Sequence, residues 1–287
     1  MATPVIASSN TTAFASSVTS TVLTKPSGLA VGDLMIAVTV FIDAGTSTST
    51  TPPAGWSTEE QVAMPDNFRV MSIFSKIADS SDVSASNFTF SYSNSVLAGG
   101  GIMRITGVAT VGAHEQDYEG STSTTSISYT AALTPSYTDQ LVLMILGGWE
   151  ATGASTMSGY TSTPSKTWTE VIDISSSLGG DPYLAIASAE AGSLTQITAY
   201  GATLSVAKLR KGGVLLLITP PQNATGSNAV FSVLPTFFSE NGSAGTDGTN
   251  NLLTTVPNFP TQSGIATAPT QWQNESNGST SWTNETL

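Results

Sequence analysis

The strongest constraint on the fold is the run Gly32-Asp33-Leu34-Met35-Ile36-Ala37-Val38-Thr39-Val40-Phe41, together with its echo Thr138-Asp139-Gln140-Leu141-Val142-Leu143-Met144-Ile145-Leu146. Each is almost wholly apolar, opened by an Asp and closed by polar, Gly-containing sequence. At this length, with turn residues on both sides, the pattern is that of a strand buried on both faces. The flanking landmarks repeat in the same order. Thr125 to Thr130 with Pro135 answers Ser20 to Thr24 with Pro26, and Trp168-Thr169-Glu170-Val171 answers Trp56-Ser57-Thr58-Glu59. Tyr183 to Ala189 answers Val70 to Lys76, and Gly213 to Pro220 answers Gly101 to Val108. A repeat of roughly 110 residues is too long for a solenoid unit and suits a tandem of β domains.

The expected fold is therefore all-β: two tandem antiparallel β-sandwich (jelly-roll-like) domains, residues 1–112 and 113–221, followed by an extended arm, residues 222–287. Within the first unit, Asn87-Phe88-Thr89-Phe90-Ser91-Tyr92-Ser93 alternates strictly and marks a half-buried strand. Gly99-Gly100-Gly101 reads as a break before the strand Ile102 to Ile105, and Asp79-Ser80-Ser81-Asp82 as a turn. No helix is expected. The second unit lacks the Pro52-Pro53-Ala54-Gly55 approach to its Trp, having Lys166-Thr167 there instead, so the loop geometry should differ.

Composition narrows the class of function. Charged residues are 10% of the chain, well under the roughly 25% usual for globular proteins, and Ser, Thr, Gly and Asn supply a polar, nearly uncharged surface. Eight Lys+Arg against twenty Asp+Glu give a net charge of -12, which argues against phosphate-neutralising grooves and hence against nucleic acid. There is no Cys, so neither disulfides nor thiolate metal sites can form. The N-terminus has no signal-peptide pattern and no run approaches the length of a membrane span, so export by a cleaved signal and membrane insertion are not expected.

No residue pattern has the chemistry of an enzyme. His114, beside Glu115 and Asp117, is the one His and reads as part of a solvated linker, with no second His or Cys to complete a metal site. Glu59-Glu60, Asp79 with Asp82, and Glu150 read as turn and strand-edge acids and do not form the paired carboxylates of glycoside hydrolysis. The segment 245–250 lacks the acidic spacing of a calcium loop. Trp56 and Trp168, each at the head of a strand, read first as structural plugs and second as glycan-stacking platforms. The tail carries Phe237, Phe238 and Phe259 and a small repeat of its own, Trp272-Gln273-Asn274-Glu275 and Trp282-Thr283-Asn284-Glu285. Large apolar side chains in such a segment are expected anchors for a partner, each recovering on the order of 2 kcal/mol on docking.

The order of motifs carried by 32–40, 52–56, 68–78, 88–92 and 101–108 resembles a β-sandwich module of tailed-bacteriophage and prophage virion proteins, and the paired Trp-x-Asn-Glu terminus is similar to tails on small phage structural proteins. The resemblance covers most of the first unit, less of the second, and the final residues. It implies a virion structural protein made in the host cytoplasm without a signal peptide. Such a protein would serve as capsid decoration or cement, or be associated with the tail. Its partners would be other capsid or tail proteins and further copies of itself, with no cofactor. The contrasting expectation is a carbohydrate-binding adhesin or fibre module contacting host surface glycans.

Overall fold

A computed structural model describes residues 3–42, 48–63, 69–120, 122–150, 152–222, 272–274 and 282–284. The chain divides into a large unit, Met1–Gly226, and a small one, Ser227–Leu287. The first copy contributes β1 (Val5–Thr24), β2 (Leu34–Ile42), β3 (Thr50–Thr51), β4 (Ser57–Ala63), β5 (Arg69–Ile77) and β6 (Asn87–Thr106). They pair antiparallel in the order β1-β6-β2-β5-β4, with β3 against the start of β6. The second copy contributes β7 (Thr110–Glu119), β8 (Thr124–Leu133), β9 (Leu141–Trp149), β10 (Met157–Thr163), β11 (Thr169–Ser175), β12 (Tyr183–Glu190), β13 (Ile197–Lys208) and β14 (Arg210–Thr219). Its main sheet runs β7-β14-β9-β12-β11, the same order strand for strand, and its small sheet runs β8-β13-β10.

In the first copy the small sheet is made from the ends of the long ribbons themselves. β1 and β6 each run 20 residues, about twice the upper end of ordinary strand lengths. Phe88 and Phe90 at the start of β6 share a cluster with Ile102 near its end and with Met35, Ala37 and Phe74 of the main sheet. That is possible only if the ribbon folds over. The corner in β1 is taken by register shifts between Thr12 and Ser20 and by Ser17 at φ 56°, the way strands change sheets. The expected break at Gly99-Gly100-Gly101 is thus a bend inside one continuous strand. In the second copy the same corners are chain breaks, between β7 and β8 and between β13 and β14.

Each copy is accordingly a sandwich, and the all-β expectation holds. What the repeat does not announce is how the copies meet. Leu34, Ile36, Val38 and Val40 of β2 lie in one cluster with Leu141, Leu143 and Ile145 of β9 and with Val214, Leu216 and Ile218 of β14. The alternate residues Met35 and Ala37 face the first sandwich's interior, and Val142, Met144 and Leu146 face the second's. The two main sheets therefore pack face to face, giving four layers and three apolar interiors. This is why both opening runs are apolar at almost every position: each strand has a core on both sides, and burying each such apolar side chain contributes about 1.5–3 kcal/mol.

The stacking is two-fold in character. β1 packs against β11, and its counterpart β7 packs against β4, the counterpart of β11. Glycines on one sheet receive side chains from the other: a Cβ at Gly101 would stand 2.6 Å from Ile172 Cδ1, and one at Gly147 or Gly212 would stand 3.0 Å from Val40 Cγ2 or Val62 Cγ1. Polar bonds close both margins. His114 Nε2 lies 3.1 Å from Glu60 Oε2, and Thr3 Oγ1 donates to Glu190 Oε1 at 2.7 Å. His114 is thereby placed in strand β7, correcting the linker reading. The division at 112 and 113 falls inside β7, because the second copy's first strand begins at Thr110.

Register refines the match between copies. Leu34 pairs with Ile105 and Ile77, as Leu141 pairs with Ile218 and Glu190. Gly100 is therefore the counterpart of Gly213, one residue from the alignment of Gly101 with Gly213, and Gln140, not Asp139, stands where Asp33 stands. The chemistry agrees. Asp33 Oδ2 accepts from the Ala30 amide at 2.8 Å and from Arg104 Nε on β6 at 2.6 Å. Gln140 Oε1 accepts from the Tyr137 amide at 3.1 Å, and its Nε2 donates to Thr219 Oγ1 on β14 at 2.7 Å. A bulge also recurs, between Thr58 and Glu60 and between Glu170 and Ile172.

One turn is a helix. In α1 (Ser80–Ser84), Asp79 Oδ1 accepts from the Ser81 and Asp82 amides at 2.7 and 3.1 Å while Asp82 Oδ2 accepts from the Asp79 amide at 2.9 Å. This reciprocal cap stabilises a helical turn too short to show a period. In the small unit, β15 (Trp272–Asn274) pairs antiparallel with β16 (Trp282–Asn284), so the terminal repeat pairs with itself, Trp272 opposite Asn284 and Asn274 opposite Trp282.

Candidate functional site

The aromatic residues singled out in the sequence separate sharply. Trp56 is 8% exposed, and Phe88 and Phe90 meet its ring edge-on at 5.4 and 5.3 Å. It plugs the end of the first sandwich and offers no face to a sugar. Trp168 is half-buried over the second sandwich's interior, and its Nε1 donates to Ser162 Oγ at 3.3 Å. The loop leading to it differs from the first copy, as expected: β10 has seven residues where β3 has two, and the Thr163-Pro164 bond is cis. Of the arm anchors, Trp272 and Trp282 lie in the terminal strand pair, while Phe237, Phe238 and Phe259 lie outside the described residues.

The acids considered for catalysis are dispersed. Glu59 accepts from Ser75 Oγ, Glu60 pairs with His114, Glu150 accepts from Ser123 Oγ at 2.9 Å, and Asp79 caps α1. The Asp79 carboxyl is held well below the usual carboxylate range, first by the Ser81 hydroxyl and then by Lys76. Among the described residues no three His, Asp or Glu side chains converge into a ready metal cage. Three shallow hollows of about 400–500 Å³ adjoin at Glu190; the one beside β1 is bordered mainly by apolar groups such as Val5, Ile6 and Leu141 with Ser9 and Thr167 among them, and the other two mix hydroxyls such as Ser136 and Ser193 with apolar groups and the half-exposed Tyr137. Such a lining can accept and donate hydrogen bonds to a neutral, hydroxylated ligand.

Sequence reasoning missed the most heavily buried charges. Lys208 and Lys211 are both 0% exposed. Lys208 Nζ donates to Glu150 O at 3.1 Å, to Thr152 Oγ1 at 3.3 Å and to Gly153 O, while Lys211 Nζ donates to Lys208 O, Thr122 O and Thr124 Oγ1 at 2.8–3.1 Å and pairs with Glu119 Oε2 at 3.1 Å. Burial pushes the Lys208 amine below its ordinary value, and Asp181 and Glu150 pull it back. Each ammonium gathers loop carbonyls that would otherwise lack donors at the end of the second sandwich. A signal existed: Lys208, Arg210 and Lys211 are three of the eight basic residues, within four positions.

The tyrosines give a pH test. Burial pushes the Tyr92 phenol up to about 12, with the Thr21 hydroxyl, 2.6 Å away, opposing the shift. Burial also raises Tyr129, Tyr160, Tyr183 and Tyr200. A phenol whose folded value exceeds its unfolded value near 10 contributes stability that is complete below pH 10 and is lost as pH climbs through the folded value. Titration followed at 295 nm should therefore show a delayed group of tyrosines ionising together with loss of the β signal above pH 10. Smooth ionisation of every tyrosine near pH 10 with the fold retained would contradict the packing described.

Comparison of the chain with family models, with curated proteins and with solved structures gives no match.

Proposed function

We propose that this chain is a non-enzymatic structural protein of a tailed-phage virion, a capsid decoration or tail-associated component that uses its C-terminal segment in assembly. The observation that carries the reading is the construction of the large unit. A duplicated sandwich stacks its own two main sheets, so that charged groups with little exposure are spent on holding loops and sheet margins. Its surface is hydroxyl-rich rather than charged, which suits dense packing beside like subunits. The last strand of the large unit ends at Thr219, where Ala109 N donates to Thr219 O at 2.8 Å, and the terminal Trp-x-Asn repeat pairs with itself in the small unit.

The test is truncation after Pro221. The shortened chain is expected to keep the β spectrum and melting of the large unit, because the three interiors are built from residues before that point, and to be missing from purified particles. Normal incorporation of the truncated chain would end the assembly role of the C-terminal segment.

A further inference from the structure

The two copies share a turn at the entry to their opening strands but clothe it differently. In the first copy the Asp33 amide donates to Ala30 O at 3.1 Å and the Ala78 amide to Asp33 O at 2.8 Å. In the second the Gln140 amide donates to Tyr137 O at 3.4 Å and the Ala191 amide to Gln140 O at 2.8 Å. Tyr137, Thr138 and Asp139 therefore stand where Ala30, Val31 and Gly32 stand, and Glu190, opposite Leu141, stands where Ile77 stands opposite Leu34. On the same frame of hydrogen bonds, small and aliphatic residues have become a ring, a hydroxyl and two carboxylates. The exchange serves no core, because Tyr137 is 41% exposed, as Val31 and Ile77 are 66% and 45% exposed in the first copy.

These side chains border the hollows that adjoin at Glu190. Each hollow has 400–500 Å³, within the roughly 300–1,000 Å³ usual for small-molecule sites. Tyr137, Asp139 and the 55% exposed Leu194 border one of them together with Glu190. Lys166 and Ser193 border the next, and Glu170 the one beside β1. Neither Trp56 nor Trp168 borders any of the three. The ring offered here is Tyr137.

We infer that the three hollows form a binding track for a neutral oligosaccharide. An exposed phenol ring suits the C–H face of a pyranose, since it combines an apolar body with a polar tip. Carboxylates accept from sugar hydroxyls through charge-assisted bonds. Lys166 Nζ donates to Ala191 O, and an ammonium has three protons to give. Three carboxylates, Asp139, Glu170 and Glu190, border the track against one lysine, and this like-charge excess turns acidic sugars away. The hollows are shallow and open to water, so binding is weak, with a dissociation constant on the order of 10⁻³ M. The inference concerns the large unit alone and stands whether or not the C-terminal segment acts in assembly.

The test is saturation-transfer difference NMR on the full chain with maltotriose, cellotriose, mannotriose and triacetylchitotriose, and with trigalacturonate as the acidic comparison, each at about 5 mM. Saturable transfer to at least one neutral trisaccharide is expected, strongest at the C–H protons of one ring face, with none to trigalacturonate. That pattern needs no variant to read. Tyr137→Ala should cut the signal about fivefold or more and leave the thermal midpoint unchanged, since the ring is exposed. Tyr118→Ala, which removes a tyrosine of β7 that is 43% exposed, should leave both the signal and the midpoint unchanged. No transfer to any of the neutral sugars, a signal that survives Tyr137→Ala or falls equally in Tyr118→Ala, or a preference for trigalacturonate would each overturn the proposal.

Discussion

Replacing Gly100 with alanine is expected to cost about 4 kcal/mol or more and to leave little soluble, cooperatively folding protein. A Cβ at this position would stand 2.3 Å from Val38 O and 3.2 Å from Thr39 Cα, so the collision is with backbone, and no side chain can swing away to relieve it. Nor can β2 retreat. It is paired with β6 on one side and β5 on the other, and side chains from two separate interiors press on its faces. Overpacking against a strand clamped in this way belongs with the rare large effects of single substitutions. Gly179→Ala is the control. Nothing lies within 4 Å of a Cβ there, and its urea midpoint should stay near that of the parent.

The second large effect is expected from Leu143→Ala. Leu143 is fully buried in the interior shared by the two main sheets. Truncation there loses apolar transfer energy and leaves a cavity that neither sheet can collapse to fill, at a cost of about 3 kcal/mol. With an m-value of roughly 2–3 kcal/mol/M for a body of this size, the urea midpoint should fall by about 1 M. The more telling outcome is where protection is lost. Amides of β2 in the first copy should exchange faster along with those of β9, because the missing side chain belonged to both copies. Loss confined to the second copy would mean that the sandwiches are energetically separate.

The legible part of this fold was legible for a specific reason. Positions 34–41 and 141–146 are apolar on both alternating faces, and only a strand with a core on each side has that pattern. The partner on the second side could not be read, because the shared interior also draws on Ile172 of β11 and Phe14 of β1, which lie in strands that mix apolar and polar residues without a continuous apolar run. β7 was invisible as a strand since it lies at a sheet edge and alternates two polar rows, His114 and Gln116 against Glu115 and Asp117. Gly99, Gly100 and Gly101 imitate a loop while serving as the flat places on which Phe14, Val38 and Ile172 come to rest. Of the residues singled out, Trp56, read as a plug from its place at a strand head, lies buried against Phe88 and Phe90. The Lys208 and Lys211 pair was passed over because buried lysines are rare and nothing in their immediate sequence reports the loop carbonyls they gather.

Scanning calorimetry of the full chain tests most directly the claim that the duplicated sandwiches form one body through a common interior. A single transition for the large unit, with calorimetric and van't Hoff enthalpies equal and with both copies losing amide protection together, is the predicted result. Two resolved transitions, one assignable to residues before Thr110 and the other to those after it, would contradict it.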